Sequence, residues 1–119
     1  MSRYEIAKGT ANGLQFLHSP IHGDSNGDMS CLIHGDIKSA NILLDKNLCP
    51  KIGDFGIARE VGEKQGKSIY TRLSAIHGTK WYLPEDFLYN KRLTITVDTY
   101  SFGVVLFDLV TGKSPHVKV

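Results

Sequence analysis

The stretch His34-Gly35-Asp36-Ile37-Lys38-Ser39-Ala40-Asn41, followed downstream by Asp54-Phe55-Gly56, decides how this chain is read. Moving a phosphoryl group from a nucleotide to a hydroxyl requires a base beside the hydroxyl, a cation near the phosphoryl, and oxygen ligands for magnesium. Asp36 can orient and deprotonate the hydroxyl, Lys38 can neutralise charge on the phosphoryl, and Asn41 can offer an amide oxygen to the metal. Asp54 can add a carboxylate. Singly, an Asp, Lys or Asn in a loop is usually only solvated. Their order, with the apolar trio Ile42-Leu43-Leu44 and a turn before Asp54, is what carries the reading.

Upstream, Ser2 and Glu5 have the spacing of a capping box, and Ala7, Ala11, Leu14 and Leu17 recur at helical spacing behind it. Gly9 and Gly13 each weaken such a helix by about 1 kcal/mol relative to alanine, so they predict close approach of another element. Residues His18 to Ser30 are dense in turn formers and predict an exposed loop. Ile42-Leu43-Leu44 and Lys51-Ile52 flank Asp45-Lys46-Asn47, which predicts two short strands and a turn. Arg59 to His77 is polar with little periodicity and predicts a long mobile segment. Val97 to Val110 is apolar nearly all round, the pattern of a helix enclosed by protein, with Gly112 placed to end it. Phe102, Val104, Val105 and Leu106 are its expected core residues.

Bulk properties narrow the alternatives. The 119 residues suit one domain at most, and 41% hydrophobic with 22% charged residues is ordinary for a soluble globular protein. Fourteen basic and twelve acidic side chains are mixed along the chain, so no single-sign run points to nucleic acid or a membrane surface. Cys31 and Cys49 are too few for a disulfide framework and point to a reducing, cytoplasmic setting. The N-terminal residues lack the apolar core of a signal peptide, and the apolar run from Tyr100 is shorter than the roughly 20 residues a membrane span needs. Export and membrane insertion are therefore not expected.

With these motifs in hand, the chain resembles the eukaryotic protein kinases along nearly all its length. Ser2 to His18 resembles the helix before the catalytic loop, His34 to Asn41 that loop, and Asp54-Phe55-Gly56 the magnesium motif. Gly78-Thr79-Lys80-Trp81-Tyr82-Leu83-Pro84-Glu85-Asp86 resembles the end of the activation segment, and Asp98 to Gly103 the start of the large buried helix. Gly35 to Asp45, Lys51 to Gly56 and Tyr82 to Glu85 are most similar to the Pelle and interleukin-1-receptor-associated kinases, with plant receptor-like kinases second. The resemblance implies a mainly α fold with short β elements: helix, catalytic loop, short β hairpin, activation segment and buried helix of a kinase C-lobe. It further implies an intracellular serine/threonine kinase using ATP and Mg2+ on protein substrates, working with a signalling adaptor or receptor complex of the Toll or interleukin-1 type.

Residue by residue, the resemblance implies that Asp36, Lys38 and Thr79 act in catalysis, with Thr79 touching the other two and favouring serine and threonine acceptors. Asn41 and Asp54 would hold magnesium, Leu43 would lie beneath adenine, and Asp98 would anchor the catalytic-loop backbone. His34 is expected to pack and bond to backbone rather than act as the base.

The chain also departs from the pattern. Gly35 stands where the loop usually has an arginine, so Ser68, Tyr70, Thr71 or Ser74, if phosphorylated, would be read by another cation such as Arg59 or Arg72. Counting from Gly78, the usual glutamate position falls on Asp86, one beyond Glu85, and its arginine partner would lie past residue 119. Residues 1–119 are expected to be a partial kinase domain, a C-lobe portion without the N-lobe or the final C-lobe helices and inactive alone. Ile21 to Asp24 repeats the Ile-His-Gly-Asp phrase without a following Lys and Asn, and reads as loop. Asp24 to Asp28 resembles the opening of a calcium loop, but Met29 and Gly35 stand where that loop needs glycine and glutamate, and His18, His22 and Cys31 lack a fourth zinc ligand. Two competing functions are a small-molecule phosphotransferase of the aminoglycoside or choline kinase type, and a truncated regulator that competes for kinase partners. Lys38 and Asp54-Phe55-Gly56 argue against the first.

Overall fold

The computed structural model describes residues 2–22, 29–64, 67, 68 and 70–115. In chain order they form helix α1 (Arg3–His18), strands β1 (Ile21–His22) and β2 (Met29–Ile33), a 3-10 turn at Ser39–Asn41, and strands β3 (Ile42–Leu44) and β4 (Pro50–Ile52). Strands β5 (Arg59–Lys64), β6 (Lys67–Ser68) and β7 (Thr71–Arg72) follow, then a second 3-10 turn at Lys80–Tyr82. Helix α2 (Glu85–Asn90), strand β8 (Arg92–Leu93) and helix α3 (Ile95–Thr111) complete the described chain.

The capping box at the start of α1 is present: Ser2 Oγ accepts from the Glu5 amide at 3.2 Å, and Glu5 Oε2 accepts from the Ser2 amide at 2.9 Å. The two glycines of α1 mark a close approach. A Cβ at Gly9 would lie 2.4 Å from Pro50 Cγ, and one at Gly13 would lie 2.9 Å from Ile52 Cδ1. Strand β4 therefore packs on α1 only because those positions carry no side chain. Its pairing with β3 sets Ile42 opposite Ile52. Asp45 Oδ1 closes the turn between them by accepting from the Asn47 and Cys49 amides at 2.8 and 2.9 Å.

Three expectations are corrected. Residues His18 to Ser30 are not simply loop, since β1 pairs with β2 as Ile21 opposite Ser30. Arg59 to His77 is not structureless: β5 pairs antiparallel with β2, Cys31 opposite Val61, in a four-stranded sheet of order β1-β2-β5-β6. The partner strand is distant in sequence and Val61 is the one buried side chain described in β5, so local periodicity carries little trace of it. Alongside three α-helices the described residues hold eight short strands in three small sheets, so the fold combines helices with small antiparallel sheets.

The third correction concerns α3. Val97, Asp98, Ser101 and Val105 are buried, but Phe107 is 72% and Val110 81% exposed, and Leu106, expected in the core, is exposed as well. The helix outruns the elements that cover it. Its α-helical end is as read from the sequence, with Gly112 at φ +69° donating its amide to Asp108 O at 2.8 Å.

Two apolar clusters form the core. One joins Ile33, Val61, Leu83, Phe87, Leu93 and Val97; the other joins Leu14, Ile37, Tyr82 and Val105. Ile33 and Ile37 are both wholly buried, so the loop from His34 to Asn41 is pinned between the clusters at each end of its first half. At roughly 1.5–3 kcal/mol per fully buried large aliphatic side chain, the two isoleucines resist withdrawal of that loop.

Candidate active site

Backbone amides at the start of the loop have no strand or helix to satisfy them. Asp98, fully buried in the first turn of α3, does so: Oδ2 accepts from the His34 amide at 2.8 Å and Oδ1 from the Gly35 amide at 2.9 Å. Its Oδ2 also lies 2.8 Å from His18 Nε2 at the end of α1. Three elements thus meet on one carboxylate. Buried polar groups left unpaired would each cost about 1–3 kcal/mol, so this convergence fixes the loop's entry.

His34 is wholly buried and takes a backbone role, as expected. Its Nδ1 accepts from the Asp36 amide at 3.1 Å while Nε2 lies 2.7 Å from Gly53 O. A proton on Nε2 satisfies both bonds, which assigns the tautomer. Gly35 and Gly78 both adopt positive φ, +83° and +102°, and a Cβ on Gly78 would lie 2.8 Å from Gly35 O. The loop and the segment after Arg72 touch there through backbone.

Beyond that contact three of the sequence-selected side chains converge. Thr79 Oγ1 donates to Asp36 Oδ1 at 3.0 Å and accepts from Lys38 Nζ at 2.8 Å, while Lys38 Nζ stands 3.9 Å from Asp36 Oδ2. Lys38 and Thr79 are the residues preceding the two 3-10 turns, and neither uses its side chain to cap its turn. Both side chains are thereby available to each other. Asn41 joins from the first turn, its Nδ2 donating to Asp36 O at 2.8 Å and lying 3.4 Å from Asp36 Oδ2.

Asp54 enters from the other strand pair. The Gly53 amide donates to Asn41 O at 2.8 Å, which sets the residue before Asp54 against the loop. Asp54 itself has φ +55°, is exposed, and accepts from the Gly56 amide at 3.3 Å through Oδ1. Phe55 packs edge-on against the His34 ring with centroids 4.9 Å apart. Leu43 is 55% exposed, its side chain lying over Gly53, where a Cβ would come within 2.8 Å of Leu43 Cδ1. A cavity of about 590 Å³ lies elsewhere, among residues of β2, β5, α2 and the start of α3.

A protein kinase domain model matches residues 2–118. The chain belongs to the protein kinase family. It is 45% identical over 115 residues to Interleukin-1 receptor-associated kinase 1 of Mus musculus, which covers 93% of this chain and 15% of that protein. Serine/threonine-protein kinase pelle of Drosophila melanogaster is 48% identical over 111 residues, 93% of this chain and 20% of that protein. Receptor protein-tyrosine kinase CEPR1 of Arabidopsis thaliana is 46% identical over 114 residues, 96% of this chain and 11% of that protein. The chain spans a fifth or less of the length of these kinases.

Further kinase-like and decoy positions fall as follows. Glu85 and Asp86 both lie exposed in the first turn of α2, and Asp86 Oδ1 accepts from the Phe87 amide at 3.0 Å. Of the hydroxyls in the activation segment, Tyr70 has its ring beneath the Arg92 guanidinium, 4.7 Å from the centroid; this cation is neither Arg59 nor Arg72. The side chain of Ser68 lies outside the described residues, as do that of His22 and all of Asp24 to Asp28. Among the described residues no group of three His, Cys, Asp or Glu side chains could hold a metal, and no helix is long and apolar enough to cross a membrane. Asp108 escaped the sequence reading altogether: it accepts from Ser39 Oγ and from Tyr82 Oη, each at 2.5 Å.

Proposed function

We propose that this chain carries the phosphoryl-transfer residues of a serine/threonine protein kinase that uses ATP and Mg2+ on protein substrates. The observation that carries this reading is the Thr79 hydroxyl bonded at once to Asp36 and Lys38. It joins a carboxylate able to take a proton to a cation able to meet developing phosphate charge. The same contact weighs against a small-molecule phosphotransferase, whose motif as read from the sequence lacks Lys38.

The donor set fits magnesium. Asn41 commits its Nδ2 to Asp36, which leaves its amide oxygen for a cation, and Asp54 uses one oxygen for a long bond to the Gly56 amide. Two such donors suit Mg2+, which keeps water and nucleotide phosphates among its ligands rather than entering a protein cage. When bound, the magnesium nucleotide supplies the phosphoryl group and the charge that screens it. Asp36 then orients the accepting hydroxyl and receives its proton, Lys38 attracts the phosphoryl oxygens, and Leu43 offers an exposed apolar side chain to the adenine face.

The similarity to an interleukin-1 receptor-associated kinase and to pelle supports a cytoplasmic role in relaying Toll or interleukin-1-type receptor signals through an adaptor complex. Residues 1–119 form part of the kinase C-lobe and do not transfer phosphate alone, because a nucleotide resting on the exposed Leu43 side chain needs further contacts to be held in position. In the full-length kinase Asp36→Asn should lower transfer to a protein substrate by about 10²–10⁴-fold, with phosphoserine and phosphothreonine the products in the parent enzyme. Undiminished transfer by that variant, or phosphotyrosine as the sole product, would refute the reading. Transfer by the isolated 119 residues, lost on Asp36→Asn, would refute the need for a further lobe.

A further inference from the structure

We propose that Arg72 and Arg92, side by side on the β7–β8 ribbon, form a docking face for a phosphorylated residue of the protein substrate, at a distance from the residue that accepts the new phosphate. The inference rests on the kinase reading above.

The ribbon pairs Thr71 with Leu93 and Arg72 with Arg92. Side chains alternate across a strand, so Leu93, 2% exposed, turns to the core while the two arginines share the outer face, where both are exposed. Like charges directly opposite each other weaken a strand pair, yet this register is held firmly. Burial of Leu93 fixes one side of it, the Leu73 amide donates to Lys91 O at 2.9 Å, and the Lys91 amide donates to Phe87 O at 2.8 Å at the end of α2. The arginine backbones therefore cannot drift apart to relieve the repulsion. Tyr70 reaches the same face, with the Arg92 guanidinium over its ring, 4.7 Å from the centroid. Among the described residues neither guanidinium meets a carboxylate: the ion pairs are His18–Asp98 and Lys38–Asp36. Asp86, which lines a cavity together with Arg92, accepts from the Phe87 amide instead.

Two adjacent guanidiniums suit one phosphate monoester. Its charge of about −1.5 to −2 balances both, and its oxygens match their forked donors better than a single carboxylate does. The described hydroxyls of the ribbon are poorly placed to supply that phosphate. Thr71 alternates to the other face, and the Tyr70 ring lies flat beneath Arg92, so its hydroxyl points along the ring plane rather than at that guanidinium. A bound substrate is better placed. Arg72 precedes Thr79 by seven residues, a span of at most about 25 Å, so a peptide whose hydroxyl sits at Asp36 has the arginines within reach of its own chain.

The test uses the full-length kinase, treated with phosphatase, and serine peptides that carry one phosphoserine two to seven residues from the acceptor, each beside its unphosphorylated twin. At the best spacing kcat/KM should favour the phosphopeptide by about tenfold, and the preference should shrink as salt is raised. Arg72→Ala/Arg92→Ala and Arg72→Gln/Arg92→Gln should both bring the ratio close to one, with kcat/KM for the unphosphorylated twin unchanged. Both side chains are exposed, so these variants are expected to fold. Absence of a preference at every spacing, or its survival in both double variants, would overturn the proposal. So would a kinase whose turnover of the unphosphorylated twin falls on phosphatase treatment in the parent but not in the double variants, because the face would then read a phosphate on this chain. Failure of the kinase reading shows separately, as transfer that survives Asp36→Asn, while tighter binding of the phosphopeptide than of its twin by Asp36→Asn protein reads the arginine face without turnover.

Discussion

The two ends of α3 each present an aspartate to the same loop, and the two are built differently. Asp98, at the amino end, is fully buried and serves backbone amides of His34 and Gly35 together with His18. Asp108, near the carboxyl end, is partly exposed and serves side-chain hydroxyls of Ser39 and Tyr82. Ten residues of helix separate them, a rise of about 15 Å, so the loop from His34 to Ser39 lies along α3 and is fastened at both ends. Backbone amides exist whatever the sequence, so their partner must be buried and unvarying for the fold to form. Hydroxyls are a choice of sequence, so their partner need not decide the fold.

The largest expected effect follows from Asp98. Replacing it by alanine strands two buried amides at about 1–3 kcal/mol each, so the protein should lose roughly 2–6 kcal/mol in denaturant unfolding. Asp108→Ala should cost about 1–2 kcal/mol in the same measurement. Equal losses would erase the distinction between the two ends.

Next in size is Gly35, beside the Asp98 end. Restoring an arginine there places a side chain at φ +83°, a conformation that costs about 1–3 kcal/mol outside glycine, although the nearest atoms to its Cβ stand 3.7 Å away. Gly35→Arg should therefore lower the unfolding midpoint through backbone strain and through the cost of carrying a guanidinium at a buried position. An unchanged midpoint would mean that the loop relaxes at its entry, against the picture of a fixed first end.

The smallest effect concerns pH at the other end. Tyr82 has its phenol raised above 10.0 in the folded state, first by burial and then by Asp108. Its contribution to stability is thus fully present below the unfolded value and is lost as pH rises through the folded one. Stability measured above about pH 10 should fall less steeply in Tyr82→Phe than in the parent. An identical alkaline slope would remove the Tyr82 bond from the account.

Comparison of particular elements shows how far the chain could be read directly. The capping box at Ser2 and Glu5, the close packing at Gly9 and Gly13, the β3–β4 turn and the Gly112 end were legible because each depends on neighbours in sequence. Strand β5 was missed because its partner β2 is distant and its residues are mostly polar. The unburied outer face of α3 was missed for the opposite reason: an apolar pattern states a preference for burial but not whether a neighbour supplies it. Thr79 meets Asp36 and Lys38 as the resemblance implied and Asn41 joins them, whereas Asp108 carries no motif and emerged only from its contacts.

By itself, the sequence determined the family and the chemical types at the site, since both reside in short ordered phrases such as His34 to Asn41 and Asp54 to Gly56. Only the tertiary structure decided that α3 also meets the loop at Ser39 through Asp108, and at what distances Thr79 stands from Asp36 and Lys38. The reason is physical. Local phrases fix donors, acceptors and backbone turns, but a hydrogen bond across forty or more residues depends on the packing that brings its two atoms within 3 Å, as between Lys38 and Thr79 at 2.8 Å.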